Sequence, residues 1–567
     1  MNRGISRWSM WLLGWLIILV PMSATAQVDQ APAINAAILE AIENEQDSYT
    51  LPRTVTIASR IVLPSWVNSP LQNFTLRGAP GTGTTITALS PVVGMITLGN
   101  ETTNPNDVFT GANLESWNLL PVVMGSQTIQ LASGSPPPIT LCFYTIVDDQ
   151  RENTNSTPVN AEMVRIIGYN PTTRVATLDR PVGRPFSLNP KLRFTHYRTT
   201  TNITIRDITL VGGTPLWGSE GGFNISMVAG LNLTNVKTRF MRTDNIRLQF
   251  CRDVIVDGYD HRDYVFGDVA GWGRGTSVFY CKDVTLANGY SESLRHGISM
   301  IASSSDVLVR DCVGNDTLGN SFDIHGMLSY RTTFLRCTGS GQFQVGNGTF
   351  WTGDRDTLIQ DCHTTGGIVL IGDARNTRIL NSSARYLQFQ SFGTLATEFR
   401  PKDTYVEGST FVNSDPNTGP VMFSGTPWKS IRNLTMVNCF LHEQNGPGAR
   451  ALLFEDAKSN LGLLKFVGTR FSTKNSAGTG ISRPVEITGT GTNASMTFEL
   501  RACQLETDGT ILIWFGTGLS GTGLITGWVA PPFGFANPIL NNSAATLPLT
   551  IVTGGRWTGG GTGAPPP

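Results

Sequence analysis

Charge of either sign is scarce in this chain. Lys plus Arg number 42, Asp plus Glu number 42, and all four together make up 15% of the 567 residues, so the formal net charge is zero. Such a balance gives no overall basic surface to attract nucleic acid, and none is expected as a partner. There are only six histidines. Neither a C-x-x-C pair nor a clustered His–Cys spacing occurs, so no zinc site is legible. After residue 26 no run is long and apolar enough to span a membrane as a helix. What the chain has in quantity is Gly, 61 of them, with many Thr and Asn. That composition favours turns and short strands over helices.

Residues 1–26 read as an export signal. Arg3 and Arg7 give a positive start, Trp11 to Val20 form a short apolar run, and Ala24-Thr25-Ala26 supplies small residues for cleavage. The expected location is secreted, periplasmic or at the cell surface. Eight cysteines in an exported chain suggest disulfides. Yet Cys312, Cys337 and Cys362 are spaced 25 and 25 apart, each just after a strand-like run. One position recurring in successive repeats predicts buried thiols acting as small apolar fillers.

The next 83 residues, 27–109, begin with an expected helix, 33–43, in which Ile34, Ile38 and Ile42 share one face. The short strands TVTIASRIVLP and FTLRGAPGTGTTI follow, punctuated by Gly and Pro. This order, INAAILEAI and then an apolar strand and a GAPGTGTTI turn, resembles the start of secreted pectate-lyase-like and tailspike-like β-helix proteins. Residues 110–197 change texture and are expected to form a small all-β insertion.

From about Thr201 the chain repeats. The central apolar residues Ile205, Leu233, Val256, Leu286, Val309, Leu335, Ile359 and Ile379 recur at intervals of 28, 23, 30, 23, 26, 24 and 20. Two positions after each stand Asp207, Asn235, Gly258, Asn288, Asp311, Cys337, Asp361 and Asn381. Asp and Asn bond their own backbone and tolerate turn dihedrals. Met436, Phe466 and Leu500 extend the series. An irregular strand-type period of 20 to 30 excludes helical solenoids, leucine-rich repeats and propellers. The predicted fold is therefore all-β: a right-handed parallel β-helix over 198–515, with an N-terminal capping helix and the small insertion. Stacked coils put like residues above like residues at about 4.8 Å. The repeats resemble those of pectate-lyase-like proteins, and residues 516–567 read as a Gly/Thr/Pro-rich end.

The densest chemistry lies in LRHGISM and SFDIHGM, between Leu294 and Met327. Alternation along the strands points Ile298 and Ile324 inward and Asp323, His325 and Ser299 outward. Arg295 is then expected one coil from Asp323. His296 is expected to face inward against Phe322 and is a reserve candidate. Asp268, Trp272, Ser299, Gln344 and Trp351 are the expected substrate contacts, with the two Trp-bearing loops flanking the strip.

A polysaccharide is the expected partner. The resemblance favours a lyase acting on a uronic-acid polymer; what elimination needs then assigns Arg295 to neutralise the carboxylate, His325 as base and Asp323 to orient it or hold substrate. A glycoside hydrolase is the second reading, pairing Asp323 with Asp268, Glu292, Asp316 or Asp373. The repeats hold no adjacent aspartate pair of the kind seen in β-helix polygalacturonases. A non-catalytic glycan-binding or adhesive solenoid is the third. No cofactor is expected. Calcium, used by many relatives, has no readable ligand cluster.

Overall fold

A computed structural model describes residues 27–552 except 65–70, 100–104, 111–113, 152–157, 197–198, 215–216, 266–272, 316, 318, 325–327, 347–353, 392–398, 414–418, 425–429, 445–448, 458–459, 474–481, 490–493, 508–510, 528–538 and 544–546. The expected signal at 1–26 and the tail from 553 lie outside these residues.

The chain winds as a right-handed parallel β-solenoid. One wall is a parallel sheet of 15 strands, one per coil. The other two walls join into a sheet of 28 strands. A helix, Ala31–Glu43, covers the N-terminal end, burying Ile34 and Ile38 with Ile42 packed beside them. The only other helix among the described residues is short, Pro105–Thr110.

The Asx column makes the corners. Between the two walls of the 28-stranded sheet each coil passes through one left-handed residue: φ is 60° at Asp207, 51° at Asn235, 50° at Asn288, 55° at Asp311 and 52° at Asp361. Asn and Asp enter this region at lower cost than other side chains, and Gly258, Gly408 and Gly468 enter it freely. In one coil the expected phase is off by one. Val309 pairs with Phe334, not Leu335, and the left-handed residue is Arg336 (φ 51°), not Cys337. Arg336 is held there by a bidentate pair with Asp311 of the preceding coil, at 2.7 and 2.9 Å. Met436, Phe466 and Leu500 continue the ladder, and Ile525 adds a rung past 515.

All eight cysteines are free and buried. Cys312, Cys337 and Cys362 belong to a longer column that runs on through Ser382 and Ser409. In it the N–H of Cys337 reaches Cys362 Sγ (3.4 Å), that of Cys362 reaches Ser382 Oγ (3.1 Å), and that of Ser382 reaches Ser409 Oγ (3.1 Å). The sulfur is thus more than filler: it accepts a main-chain bond between coils. Further along, burial pushes the thiols of Cys439 up to about 11 and Cys503 up to about 12.

Strands between Ser116 and Phe194 form a separate antiparallel sheet of six, with its own core around Trp117, Tyr144, Phe186 and Phe194. It docks on the 28-stranded sheet through ion pairs. Glu162, which also lies 3.6 Å from Arg184 Nε within the insertion, meets Lys282 Nζ at 2.9 Å, while Asp179 holds Arg252 at 2.8 Å. The insertion is therefore anchored on a wall other than the one that carries LRHGISM.

Candidate functional site

The outer face of the 15-stranded sheet is read from its register. Arg247, Ser277, Ser299, Asp323, Gln344, Val369, Gln388, Met422, Leu453, Glu486 and Trp514 stand in one column, each paired with the next. Their sequence neighbours form the core: Ile298, Met300, Phe322, Ile324 and Phe343 are all buried. Phe322 stacks on Phe343 at 4.6 Å, with Phe334 edge-on to both. The side-chain directions expected for Ile298, Ser299, Phe322 and Asp323 follow. The rung does not: Ile298 pairs with Phe322, and Ile324 pairs with Met300.

One strand assignment changes what lies on this face. Arg274–Phe279 is the rung between Asp244–Gln249 and His296–Ala302, so Arg274 and Ser277 join the site. Its sequence, RGTSVF, follows a Gly-rich stretch and reads as loop. The Gly of the His-Gly pair is steric. A Cβ on Gly275 would meet the carbonyl of Gly297 at 2.1 Å, and one on Gly297 would meet that of Ser321 at 2.5 Å.

Asp323 was expected on an exposed strip and is fully buried, as is Ser299. Both still face away from the core; the surface over them is closed rather than open. Ser299 Oγ donates to Asp323 Oδ2 at 3.3 Å. His296 was expected to face inward against Phe322. Instead its Nδ1 lies 3.7 Å from Asp323 Oδ2, an ion-pair distance. Alternation fails there because His296 is the first strand residue, before the close-packed Gly297, where the chain is still turning the corner. The residue is 7% exposed, the most open of the three.

Around this group Gln344 accepts from Asn320 at 3.0 Å, and Gln342 donates to the Tyr386 hydroxyl at 2.7 Å. On the preceding coils Asp244 receives Ser277 Oγ at 2.7 Å and sits 3.6 Å from Arg274, while Arg247 lies over the Phe279 ring at 4.8 Å. A second carboxyl, Asp354, is also buried. Its Oδ1 accepts the Ser329 N–H at 3.1 Å. Burial holds its proton well above the usual carboxylate range, and the charge of Asp323 adds to that.

Arg295 is half-buried in the turn before the strand, its N–H bonded to Gly273 O at 2.9 Å. Among the described residues no ion pair links it to Asp323. Asp373, one of the acids weighed as a hydrolase partner, belongs to a cluster with Arg355, Arg375 and Lys402. Asp268, Trp272, His325, Trp351 and Asp316 lie outside the described residues. Sequence reasoning missed Asp244, Arg274, Asn320 and Asp354. Asp354 stands at the end of the Trp351-bearing stretch itself, and a register cannot be counted across a loop.

Among the described residues no group of three His, Cys, Asp or Glu side chains could hold a metal ion, and no helix is long and apolar enough to cross a membrane. A cavity of about 460 Å3 lies elsewhere, between the insertion and the 28-stranded sheet, lined by Met124, Arg180, Lys282, Asp283, Asp306 and Arg331. Its cations are already paired: Arg331 with Asp306 at 2.6 Å, Lys282 with Glu162, and Arg180 with Asp283 at 3.1 Å.

No protein family and no curated protein matches the chain. Solved structures do. The tailspike protein gp49 from Pseudomonas phage LKA1 is similar over 91% of this chain and 77% of its own, at 14% identity and a TM-score of 0.51, which shows the shared solenoid fold. The gp54 tailspike of Acinetobacter baumannii bacteriophage AP22, solved in complex with A. baumannii capsular saccharide, aligns over 94% and 76% at 12% identity and a TM-score of 0.42. The Streptococcus pneumoniae surface protein and adhesin PfbA aligns over 92% and 96% at 10% identity and a TM-score of 0.37.

Proposed function

We propose that this chain is an exported polysaccharide-active solenoid that cleaves a uronic-acid polymer by β-elimination on the outer face of its 15-stranded sheet. The observation that carries the reading is His296 set against a buried carboxylate, Asp323, which is itself fixed by Ser299. His296 is the most open of the three groups, and an imidazole is the side chain among them suited to take a proton from a bound sugar. In the elimination that proton comes from the carbon next to the uronate carboxylate. The bond from the neighbouring carbon to the glycosidic oxygen breaks, a carbon–carbon double bond forms, and the leaving oxygen gains a proton. Asp354, whose proton affinity burial raises, is the proposed acid for that oxygen. Arg295 or Arg274 supplies the cation that neutralises the uronate as charge develops. Asp323 is a positioning residue in this scheme. Asp268, Trp272, Gln344 and Trp351 remain the proposed sugar contacts. Cell surface, periplasm or medium is the proposed location.

The second reading, hydrolysis, draws on the same two carboxyls, Asp323 as base and Asp354 as acid. One assay separates the two. Elimination leaves unsaturated ends that absorb in the ultraviolet, whereas hydrolysis leaves new reducing ends without them. His296→Gln is expected to lower elimination by about 10²–10⁴. If His325→Ala has that effect and His296→Gln does not, His325 is the base and His296 structural. No cleavage of any uronic-acid or neutral polysaccharide by the wild type rejects the enzyme and leaves a glycan-binding or adhesive wall.

A further inference from the structure

We infer that the C-terminal part of the same sheet carries a second, separate site, built by Arg450, Arg483 and Trp514 around Glu486, that binds a carboxylated sugar chain.

The register puts Glu486 on the outer face, between core-facing Val485 and Ile487. Trp514 is beside it on the next rung, between Ile513 and Phe515. Glu486 is 2% exposed. Its Oε2 holds Arg450 Nε at 2.7 Å and Arg483 Nη1 at 2.9 Å. The Arg483 guanidinium lies over the Trp514 ring, 3.8 Å from its centroid. Three successive coils thus lock two guanidinium groups and an indole into one fixed arrangement.

Glu486 does not exhaust these donors. A guanidinium carries five N–H bonds, and one carboxylate takes one from each arginine here. Arg483 Nε and Trp514 Nε1 are buried and have no hydrogen-bond partner among the described residues. A buried donor without an acceptor costs about 1–3 kcal/mol. Two on one patch, with a net charge of one positive, suit an acceptor-rich anion, and planar guanidinium groups match a carboxylate in particular.

The patch is not the far end of the His296 cluster. Six rungs separate Asp323 from Glu486, about 29 Å along the axis. Three of the five outer positions between them, Val369, Met422 and Leu453, are apolar and buried. The polar track is interrupted. Two anchors on one rigid wall make the second contact of a long polymer effectively intramolecular. Choosing a sugar over another carboxylate rests on the proposed function; the donor set itself does not.

The test measures binding of a long oligogalacturonate by calorimetry, in a His296→Gln background so that cleavage does not consume it. A neutral cello-oligosaccharide of equal length is the control. Trp514→Leu and Arg450→Gln are each expected to weaken oligogalacturonate binding about tenfold or more, with the control unchanged. Trp514→Leu leaves no charge unpaired, so it remains informative if Arg450→Gln unfolds. Unchanged affinity in a folded variant overturns the site, as does equal binding of the neutral chain or no binding of either. Binding that falls in both variants while wild type releases no product keeps the site and sinks the elimination.

Discussion

The 28-stranded sheet and the outer face of the 15-stranded sheet are built under different constraints. Along the first, each coil repeats the same corner. Asp207, Asn235, Asn288, Asp311 and Asp361 occupy one left-handed position, and Cys and Ser interchange in one ladder. Along the second, successive outer residues are Arg247, Ser277, Ser299, Asp323, Gln344, Val369 and Gln388, with only the two serines alike. Repetition marks positions whose task is the same in every coil, namely closing the turn and pairing the main chain. Its loss marks positions whose task is local. The inner face of the 15-stranded sheet behaves like the rest of the core, so the difference lies between faces and not between strands.

The largest effect expected on stability sits on that inner face. Phe322→Ala removes the ring stacked on Phe343 and should cost about 3–5 kcal/mol, read from denaturant unfolding. A loss below about 1 kcal/mol would mean the stack is not packed as described. Next comes the corner. Asn288→Val places a β-branched side chain at φ 50° and should cost about 1–2 kcal/mol, read the same way. No loss would show that the column is not a steric requirement. Smallest is Cys337→Ser. Ser382 and Ser409 already hold equivalent rungs with the same main-chain bonds, so melting should shift by the equivalent of less than about 1 kcal/mol. A large shift would mean that sulfur is specifically needed.

The same contrast decides what was legible. Turn chemistry recurs, so the corner column, the fold and the capping helix could be read from residues such as Asp207, Asn235 and Ile38. The misread rung, Leu335 for Phe334, came from an arginine standing where Asx was expected; its pairing with Asp311 depends on a contact between coils. At the site, alternation gave the directions of Asp323 and Ser299. Direction is not exposure, though, and periodicity does not say what closes over a face. His296 was misdirected because alternation stops where a strand meets its corner. Arg274 and Asp354 were missed because each stands at the end of a loop, where counting loses the register.

The division of labour is tested most directly by measuring melting temperature and cleavage rate on the same preparations of Asn288→Val and His296→Gln. The account predicts that Asn288→Val melts lower and keeps the wild-type rate below its transition. It predicts that His296→Gln melts close to wild type and loses cleavage by about 10²–10⁴. A His296→Gln protein that melts far lower yet cleaves normally while folded would contradict it, and would return His296 to the structural frame.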